Sequence, residues 1–539
     1  MKLVEGGEET GDARFNLLYE PWILVTNVDG KVEELDLLDT FGRAHEIKCI
    51  SGELPTQDIA VFRLLLAVMY AIYQRTDCHG NPSRLEEPRE ALDRWADLWN
   101  AGRFNIDHIK NYLRNYKDRF YLMHPERPFY QVNFHNGTEY GSSKLIGELS
   151  ESSNKPRLFP VRTGKGRNRI SYSEAARWLL YLNSYDDTSS KPTRGLNLPS
   201  VGAGWLGKLG LVYVTGSSLF ETLLLNFVLL DGNEMPFAEG RACWELETVR
   251  CEERTEISVP DNPLELLTLQ SRRLILLEDA GAVVGFRLLG GDVFSKENAF
   301  VEQMTMWRKD EKTDEFKPRR HDPSRALWRD YSALISRGDQ KGQPGIVRWT
   351  SLLQREGVLT RRVLKFQTAS VKYGDKDFFV NDVFEDSISM NADLLAILGD
   401  EWNPRIDVVL SKTEKCVLEL GKFAINILRS SGNDDENSHK GASAAVREKA
   451  YFILDVPFRQ WLGSIDPSKD DLEVKTGEWL NLMRDSVLNL GERCLMDAGE
   501  RSLIGKSMTI GKKEMSSMKN NAASWFGFFK NEVHRICGE

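Results

Sequence analysis

The segment from Pro55 to Tyr73 constrains the fold more than any other, because nearly every residue in it is apolar. The pattern predicts a helix that starts after Pro55, with Thr56 as its N-cap. A helix that is apolar on every side is buried, so we expect this segment to build a core and to expose little chemistry. Its longest apolar run, from Phe62 to Tyr73, is too short to span a bilayer and contains Arg63, so we predict no membrane segment.

Length and charge indicate a large globular protein without a general affinity for nucleic acid. A chain of 539 residues exceeds what one ordinary core holds, so two or more domains are expected. The first fourteen residues are acidic and polar and do not resemble a signal peptide, which favours a cytoplasmic location. The net charge of −9 argues against nucleic-acid binding by the whole surface, so any such site must be a local basic patch.

The seven cysteines are scattered, and none of them occurs in a C-x-x-C pair. The pattern therefore predicts neither a zinc ribbon nor a disulfide framework. We interpret these residues as simple buried thiols, and we predict no structural metal and no cofactor.

The hydrophobic pattern changes near residue 391 and predicts two domains. Residues 1–391 mix β-type runs at 211–214 and 273–277 with helical stretches such as 88–100, which predicts a large, irregular mixed α/β domain. Residues 392–539 have apolar residues at helical spacing around 406–427, 440–463, 470–495 and 512–537, with turn-like breaks between them. Four amphipathic helices with short connections predict a C-terminal four-helix bundle, in which Pro457 should kink the second helix. The predicted fold class is α+β.

A basic loop spans residues 155–169 and contains no acidic residue. Such a loop with one aromatic ring suits a nucleic-acid strand, because guanidinium groups bind phosphates while the ring stacks on a base. A solvated surface loop remains the alternative, since charge runs are common on protein surfaces. The candidate residues are Lys155, Arg157, Phe159, Arg162, Lys165, Arg167 and Arg169.

A glycine loop at residues 201–208 contains G-x-G-x-x-G at Gly202, Gly204 and Gly207. A dinucleotide site needs a strand before these glycines and a helix after them, whereas here Pro199 precedes them and a β-type run follows. We therefore favour a loop whose backbone approaches a ligand closely. No acidic residue occurs from 188 to 220, and cations flank the glycines, as entry into a DNA minor groove would require. A turn that needs positive φ is the alternative.

Two segments carry a family resemblance. The first runs from Phe15 to Tyr73 and includes F-N-L-L-Y-E-P-W-I-L-V, F-G-R-A-H-E-I and S-G-E-L-P-T-Q-D-I-A-V-F-R. The second, F-Y-L-M-H-P-E-R-P-F-Y-Q at residues 120–131, is similar to an F-x-L-x-H-P-x-x-P-F-x-Q segment. With the chain length and the domain order, they resemble the CasA family, the large subunit of the type I-E CRISPR surveillance complex (Cascade).

The resemblance implies a noncatalytic subunit near the 5′ handle of the CRISPR RNA (crRNA). Such a subunit tests double-stranded target DNA for a protospacer-adjacent motif (PAM), helps to open the duplex and positions it for a helicase-nuclease. Guide pairing supplies sequence specificity, while the protein supplies PAM checking and backbone charge. The implied partners are the crRNA 5′ handle, target DNA with its PAM, other Cascade subunits and the helicase-nuclease. The helical bundle would hold the displaced strand and contact the small subunits.

The resemblance also implies roles for residues of the two loops described above. The basic loop would contact DNA and crRNA, with Phe159 as its aromatic contact. The glycine loop would read the PAM, and the candidate residues are Gly202, Ala203, Gly204, Trp205 and Lys208.

A polar turn at residues 373–379, Y-G-D-K-D-F-F, is bounded by β-type residues. The resemblance implies a wedge here that separates the first target base pairs, although an ordinary hairpin turn remains the alternative. Some relatives have glutamine at the tip where this chain has Lys376 and Asp377, and Phe378 could serve instead by stacking. The family also inserts a lysine into the PAM, and sequence spacing does not choose among Arg272, Arg273 and Lys296.

His321 and Asp322 invite comparison with the ligands of metal-dependent nucleases. Because no further His/Asp cluster surrounds them, we instead interpret Asp322 as the N-cap of a helix that continues to Leu334. The sequence contains no H-E-x-x-H, P-loop or G-x-S-x-G motif, so a noncatalytic protein is predicted. The rival is a nucleotide-binding or metal-dependent hydrolytic enzyme that uses the glycine loop or the His-Asp pair, and a scaffold that contacts only proteins is a third possibility.

Overall fold

The computed structural model describes residues 13–135, 137–151, 158–188, 201–247, 256–335, 342–359, 361–507 and 519–538. Its strands are β1 (Arg14–Asn16), β2 (Ile23–Asn27), β3 (Val32–Leu35), β4 (Ile47–Ile50), β5 (Tyr121–Met123), β6 (Thr138–Gly141), β7 (Tyr213–Thr215), β8 (Arg272–Asp279), β9 (Ala282–Gly290), β10 (Trp307–Lys309), β11 (Phe316–Pro318), β12 (Val363–Tyr373), β13 (Val380–Asn391), β14 (Lys506–Ser507) and β15 (Lys519–Asn520). Its helices are α1 (Leu37–Gly42), α2 (Pro55–Tyr73), α3 (Pro88–Ala101), α4 (Ile106–Arg114), α5 (Ser142–Leu145), α6 (Lys165–Asn168), α7 (Tyr172–Tyr185), α8 (Leu219–Leu225), α9 (Pro263–Leu267), α10 (Tyr331–Ile335), α11 (Gly345–Arg355), α12 (Gly399–Ser430), α13 (Glu436–Ser464), α14 (Leu472–Met496), α15 (Glu500–Ile504) and α16 (Ala522–Cys537). The mixed α+β class predicted from the sequence is confirmed.

The chain divides into two compact units. The first contains residues 1–325, 336–360 and 364–387, and the second contains residues 326–335, 361–363 and 388–539. The sequence pattern placed the whole of 1–391 in one domain, so it did not predict that the short segment 326–335 packs within the second unit. There the indole of Trp328 stacks on Phe458 with ring centroids 4.4 Å apart.

Helix α2 forms the core of the first unit, as its apolar sequence predicts. It packs against α7, α8 and α9, and nearly all of its side chains are buried. Arg63 is tolerated inside because its guanidinium forms a two-point ion pair with Glu302, each N–O distance being 2.9 Å. Although its length and composition would allow it to cross a membrane, 94% of the apolar window is buried within the protein, so α2 is a core helix.

The predicted N-cap of α2 is wrong. Leu54 occupies that position and Pro55 is the first helical residue, while Thr56 is already inside the helix. The side chains of Gln57 and Asp58 reach back from the first turn and accept hydrogen bonds from the backbone N–H groups of Glu53 and Gly52. These contacts tie the segment before the helix to its first turn without a capping hydroxyl.

The strands form small sheets, of which β14-β15 belongs to the second unit. The three-stranded sheets have the orders β3-β2-β4, β6-β9-β8 and β13-β12-β7, and the two-stranded sheets are β1-β5, β10-β11 and β14-β15. Strands β8 and β9 form a long hairpin that starts at Arg272, and β12 and β13 form another that encloses the turn at 374–379.

The second unit contains four long helices, in which α12 packs against α13, α14 and α16. The rings of Phe423 and Phe529 stack 5.3 Å apart between α12 and α16, and the indole N–H of Trp479 donates to Thr413 across α12 and α14. Helices α13 and α14 lie within a few residues of the predicted segments 440–463 and 470–495. Helix α13 continues through Pro457 without interruption. The predicted segment 512–537 starts too early: α16 begins at Ala522, and residues 508–518 lie outside the described part of the chain.

Candidate nucleic-acid interface

The glycine loop and the turn between β12 and β13 lie side by side, although 165 positions separate them in sequence. We call residues 374–379 the hairpin loop. A β-carbon on Gly207 would lie 2.0 Å from the hydroxyl oxygen of Tyr373, the last residue of β12. That hydroxyl donates to the backbone carbonyl of Tyr185 at the end of α7. Residues that are distant in the chain therefore meet at one place in the first unit.

We predicted that the backbone of the glycine loop is open to close approach by a ligand. That prediction is wrong over residues 203–207. Gly204 donates its N–H to the carbonyl of Asp186, and a β-carbon on Gly204 would lie 2.3 Å from the carbonyl oxygen of Ser184. Ala203, Gly204 and Gly207 are all buried. These glycines are explained by close packing inside the protein. Only Gly202 is partly exposed, with a positive φ of 63° that favours glycine.

Trp205 also belongs to the interior. Its side chain is 7% exposed, and its ring lies 4.5 Å from that of Phe294, centroid to centroid. Its indole N–H donates to Glu302, the partner of Arg63, at 2.7 Å. The predicted direct contact of Trp205 with DNA is therefore replaced by a structural role that ties the glycine loop to α2.

Lys208 marks a concentration of positive charge at the edge of the glycine loop. Its ammonium donates to the carbonyl of Val201 at 3.3 Å. Burial, together with the nearby charges of Arg272, Lys296 and Arg320, lowers the pKa of Lys208 to about 8. In a protein with a net charge of −9, the cations around Lys208 are a local concentration of positive charge, although Arg272 is buried against Asp186 and Arg320 pairs with Asp377.

The hairpin loop is a tight turn, as predicted. The N–H of Gly374 donates to the carbonyl of Phe379, and Lys376 and Asp377 both have positive φ, near 54° and 58°. Lys376 is exposed and Phe378 is 41% exposed, so both side chains are accessible to a ligand.

Asp377 contacts the protein itself. Its two carboxylate oxygens accept hydrogen bonds from the guanidinium of Arg320, at 2.8 and 2.9 Å. The same guanidinium lies 5.3 Å from the ring centroid of Tyr373. The backbone of Thr188 also donates to the carbonyl of Asp377. Asp377 therefore anchors the hairpin loop to Arg320 and neutralises part of its charge, and its direct role at DNA stays a prediction.

The basic loop carries less available positive charge than its sequence suggests. Arg162 pairs with Glu148 and Glu174, Arg167 pairs with Glu151, and Arg169 pairs with Asp279. Those carboxylates come from other segments, which is why the charge run alone did not reveal them. Lys165 is exposed, whereas Lys155 and Arg157 lie outside the described residues.

Three apolar side chains of the basic loop project into solvent. Phe159 is 92% exposed, Leu158 is 91% exposed and Val161 is 72% exposed. Exposed large apolar side chains close together are unusual on a protein surface and indicate an interaction site. The loop is attached to the glycine-loop region through α5, because Ser142 donates to the carbonyl of Arg167 while Lys144 on the same helix pairs with Asp187.

The structure separates the three candidates for the inserted cation. Arg272 and Arg273 are both buried, and each forms an ion pair, with Asp186 and Asp292 respectively. Lys296 is exposed and close enough to Lys208 to lower its pKa. Sequence spacing could not make this distinction, because it depends on which side chains fold inward.

The His321–Asp322 pair has local structural roles. A ring nitrogen of His321 lies 2.7 Å from the carbonyl oxygen of Leu211, and Asp322 accepts hydrogen bonds from the N–H and hydroxyl of Ser324. The predicted N-cap is wrong in detail: Asp322 closes a turn, and the next helical residues begin at Leu327. Among the described residues, no group of three or more His, Cys, Asp and Glu side chains could hold a metal ion.

Comparison with known proteins identifies relatives along almost the whole chain. A family model described as CRISPR-associated protein Cse1 matches residues 16–490. A protein of Thermus thermophilus described as CRISPR-associated protein CasA/Cse1 is 27% identical over 535 residues, covering 94% of this chain and 97% of that protein.

Solved structures agree with this result. Thermobifida fusca Cse1 has a TM-score of 0.82 and 27% identity, with 98% of this chain and 99% of that chain covered. A chain from a structure described as a CRISPR RNA-guided surveillance complex has a TM-score of 0.70 at 18% identity, with coverage of 96% and 99%, which shows a shared fold.

Proposed function

The chain belongs to the CRISPR-associated protein Cse1 family, and on that basis we propose that it is the noncatalytic large subunit of a crRNA-guided type I-E Cascade complex. It recognises a PAM in double-stranded DNA, helps to open the duplex and positions it for a recruited helicase-nuclease. The observation that carries the proposal is the meeting of the glycine loop and the hairpin loop beside Lys208, Lys296 and Arg320. Such a patch on an acidic protein attracts a phosphate backbone to one place.

Within this patch, the PAM contacts are assigned to the accessible groups. Gly202 presents backbone without a side chain, Lys208 lies beside it, and Lys296 is the cation that enters the groove. Small groups and cations suit the narrow minor groove, where the pattern of donors and acceptors distinguishes A·T from G·C pairs. Ala203, Gly204 and Trp205 support this surface from below.

Duplex opening is assigned to the hairpin loop. Phe378 is the stacking group and Lys376 the phosphate contact, because both are exposed at the tip of a turn held rigid by Arg320 and Tyr373. An apolar side chain inserted between base pairs unstacks them, at a cost of a few kcal/mol that new contacts offset.

The remaining partners are assigned to the basic loop and to the second unit. Phe159 and Lys165 of the basic loop contact the crRNA 5′ handle or adjacent DNA, together with Lys155 and Arg157. Arg162, Arg167 and Arg169 shape the base of that loop through their ion pairs. The four long helices form a four-helix bundle that holds the displaced strand and contacts other Cascade subunits.

The experiment that tests PAM recognition uses the assembled complex and target duplexes with a randomised three-base-pair flank. Gly202→Asp should reduce the ratio of affinities for the best and the worst flank by about tenfold or more. Its carboxylate, placed beside Lys208, would repel phosphate and would occupy the space that Gly202 leaves open for the DNA groove. Gly30→Asp is the matched control: Gly30 also has positive φ and open space around it, but it lies in the turn between β2 and β3. Equal flank preferences in wild type and Gly202→Asp would contradict the proposal.

The noncatalytic assignment has its own test. The purified chain, incubated with target duplex and either Mg²⁺ or Mn²⁺, should leave the DNA intact. Cleavage that His321→Ala removes would instead support the hydrolytic rival.

A further inference from the structure

We propose that Arg272 is the positioning residue of the glycine loop: it fixes the loop in its DNA-facing conformation without touching nucleic acid. This inference rests on the proposed role of the glycine loop in PAM recognition. Arg272 is 1% exposed and is the first residue of β8, so its side chain projects inward from a strand. A group mounted on a strand is held more rigidly than one on a loop.

The hydrogen bonds of Arg272 explain how it fixes the loop. The two hydrogens of one terminal nitrogen, Nη2, are shared among three carbonyl oxygens, those of Asp186 at 3.3 Å, Asp187 at 3.2 Å and Gly202 at 2.8 Å. The Nε atom donates to the Asp186 carboxylate at 2.5 Å, and Nη1 donates to the carbonyl of Ser271. One guanidinium therefore joins the end of α7 to the glycine loop, across fifteen positions of sequence.

Lys144 is a second cation beside the carboxylates of Asp186 and Asp187. Lys144 from α5 lies 2.9 Å from the carboxylate of Asp187 and 3.7 Å from that of Asp186, so two cations face two carboxylates in a buried group. Such buried groups contribute little net stability, because desolvation offsets most of the Coulomb attraction. Their ion pairs and hydrogen bonds form only in one geometry, however, and this geometry fixes the positions of the carbonyl groups that surround Arg272.

Lysine cannot replace arginine here. An ammonium is a compact point charge, whereas the planar guanidinium presents donors in fixed directions to a carboxylate and to carbonyls at the same time. An Arg272→Lys variant keeps the charge that acts on Lys208 but loses the fork that reaches Gly202. This substitution therefore separates the positioning effect from the electrostatic effect.

The neighbouring Arg273 provides a matched control. It is also buried, pairs with Asp292 at 2.7 Å, and donates to the carbonyl of Gln270, but none of these partners belongs to the glycine loop. Two pairs of variants can thus be compared: Arg272→Lys and Asp186→Asn, which alter the arrangement around Gly202, and Arg273→Lys and Asp292→Asn, which alter a similar buried pair nearby.

The experiment measures binding of the assembled complexes to the duplexes with randomised flanks, with thermal unfolding of each subunit in parallel. The preference among flanks is the ratio of the affinities for the best and the worst flank. Arg272→Lys and Asp186→Asn should each reduce this ratio by about tenfold, the usual loss when hydrogen bonds to a charged group are broken. The Arg273 and Asp292 variants should lower the unfolding temperature comparably and leave the flank preference unchanged.

Three outcomes would overturn the inference. Flank preferences that stay within twofold of wild type in both Arg272→Lys and Asp186→Asn, while Lys208→Ala loses its preference, would refute the positioning role and leave the proposed function intact. Equal compression in all four variants would show general loosening of the fold. If Lys208→Ala and Gly202→Asp also kept the wild-type preference, the proposed function of the loop would fail together with the inference.

Discussion

Gly207 lies directly against the phenol of Tyr373, so that a β-carbon on the glycine would stand 2.0 Å from the hydroxyl oxygen. The hydroxyl is held in place because it donates to the carbonyl of Tyr185 at 2.7 Å. The end of α7, the glycine loop and the base of the hairpin loop therefore touch at one point.

Gly207→Ala should destabilise the first unit by about 1–3 kcal/mol, the usual cost of forcing an extra carbon into a packed site. Tyr373→Phe removes the obstructing hydroxyl and also its hydrogen bond to Tyr185. The double variant should therefore be more stable than the sum of the two single effects predicts, because phenylalanine removes the closest contact of the added carbon and leaves only ring carbons at 2.9 and 3.0 Å. Denaturant unfolding of the three variants measures the coupling, and simple additivity would show that the contact is not as tight as described.

Some of this arrangement follows from sequence because it depends on local pattern. The apolar run of α2 predicts a buried helix wherever it lies, and the polar residues between two β-type runs predict the turn at 374–379. The helices α13 and α14 are predicted for the same reason, since apolar spacing and turn residues define them locally.

The rest depends on contacts between distant segments. The basic loop looks fully cationic in sequence, yet Glu174 and Asp279 neutralise part of it after folding. The glycines of the loop suggest approach by a ligand, yet Gly204 and Gly207 are approached by the protein's own Ser184 and Tyr373. No local pattern distinguishes these cases, because each partner is fixed only by the tertiary fold.

Asp377→Asn should strengthen DNA binding by the assembled complex. The carboxylate neutralises Arg320 in the free protein, so its removal makes one more cation available to phosphate and should steepen the dependence of log affinity on log salt by about 0.9. The ion pair is partly exposed, so the loss of stability should be small, about 0.2–1 kcal/mol. Asp375→Asn is the control, because Asp375 is an exposed residue of the same hairpin loop and the change in net charge is identical. An equal gain in both variants would assign the effect to net charge alone.

Phe159→Ala should weaken binding to crRNA-containing partners more than Leu158→Ala does. Both side chains are more than 90% exposed, so neither truncation should disturb the fold. Stacking of a base on an aromatic ring is worth about 1–3 kcal/mol, and leucine cannot provide it. Subunit binding to a crRNA-loaded complex, measured by titration, tests the difference. Equal losses would indicate that the loop inserts into an apolar pocket of a protein partner.

The affinity of the complex for target DNA should fall as pH rises above about 8, because Lys208 loses its proton there. A bound phosphate favours the charged ammonium, so the pKa of Lys208 is higher in the DNA-bound complex than in the DNA-free one. At pH values between these two pKa values, Lys208 takes up a proton when DNA binds. The affinity should then decrease by up to tenfold per pH unit in that range. The free energy of unfolding depends on pH in the opposite direction. The pKa of Lys208 is lower in the folded protein than its unfolded value of about 10.4, so the unfolded chain binds more protons between about pH 8 and 10. The folded protein therefore becomes more stable as pH rises through that range.

Lys208→Arg separates this effect from other groups that titrate in the same range. The guanidinium stays charged up to pH 12, so the variant should bind DNA with an affinity that no longer falls between pH 8 and 9.5. Lys208→Met should bind weakly throughout, with the same flat profile. Neither variant changes the neighbouring Arg320 or Lys296. A sloping profile that persists in Lys208→Arg would therefore assign the pH dependence to a different group and remove Lys208 from the phosphate contact.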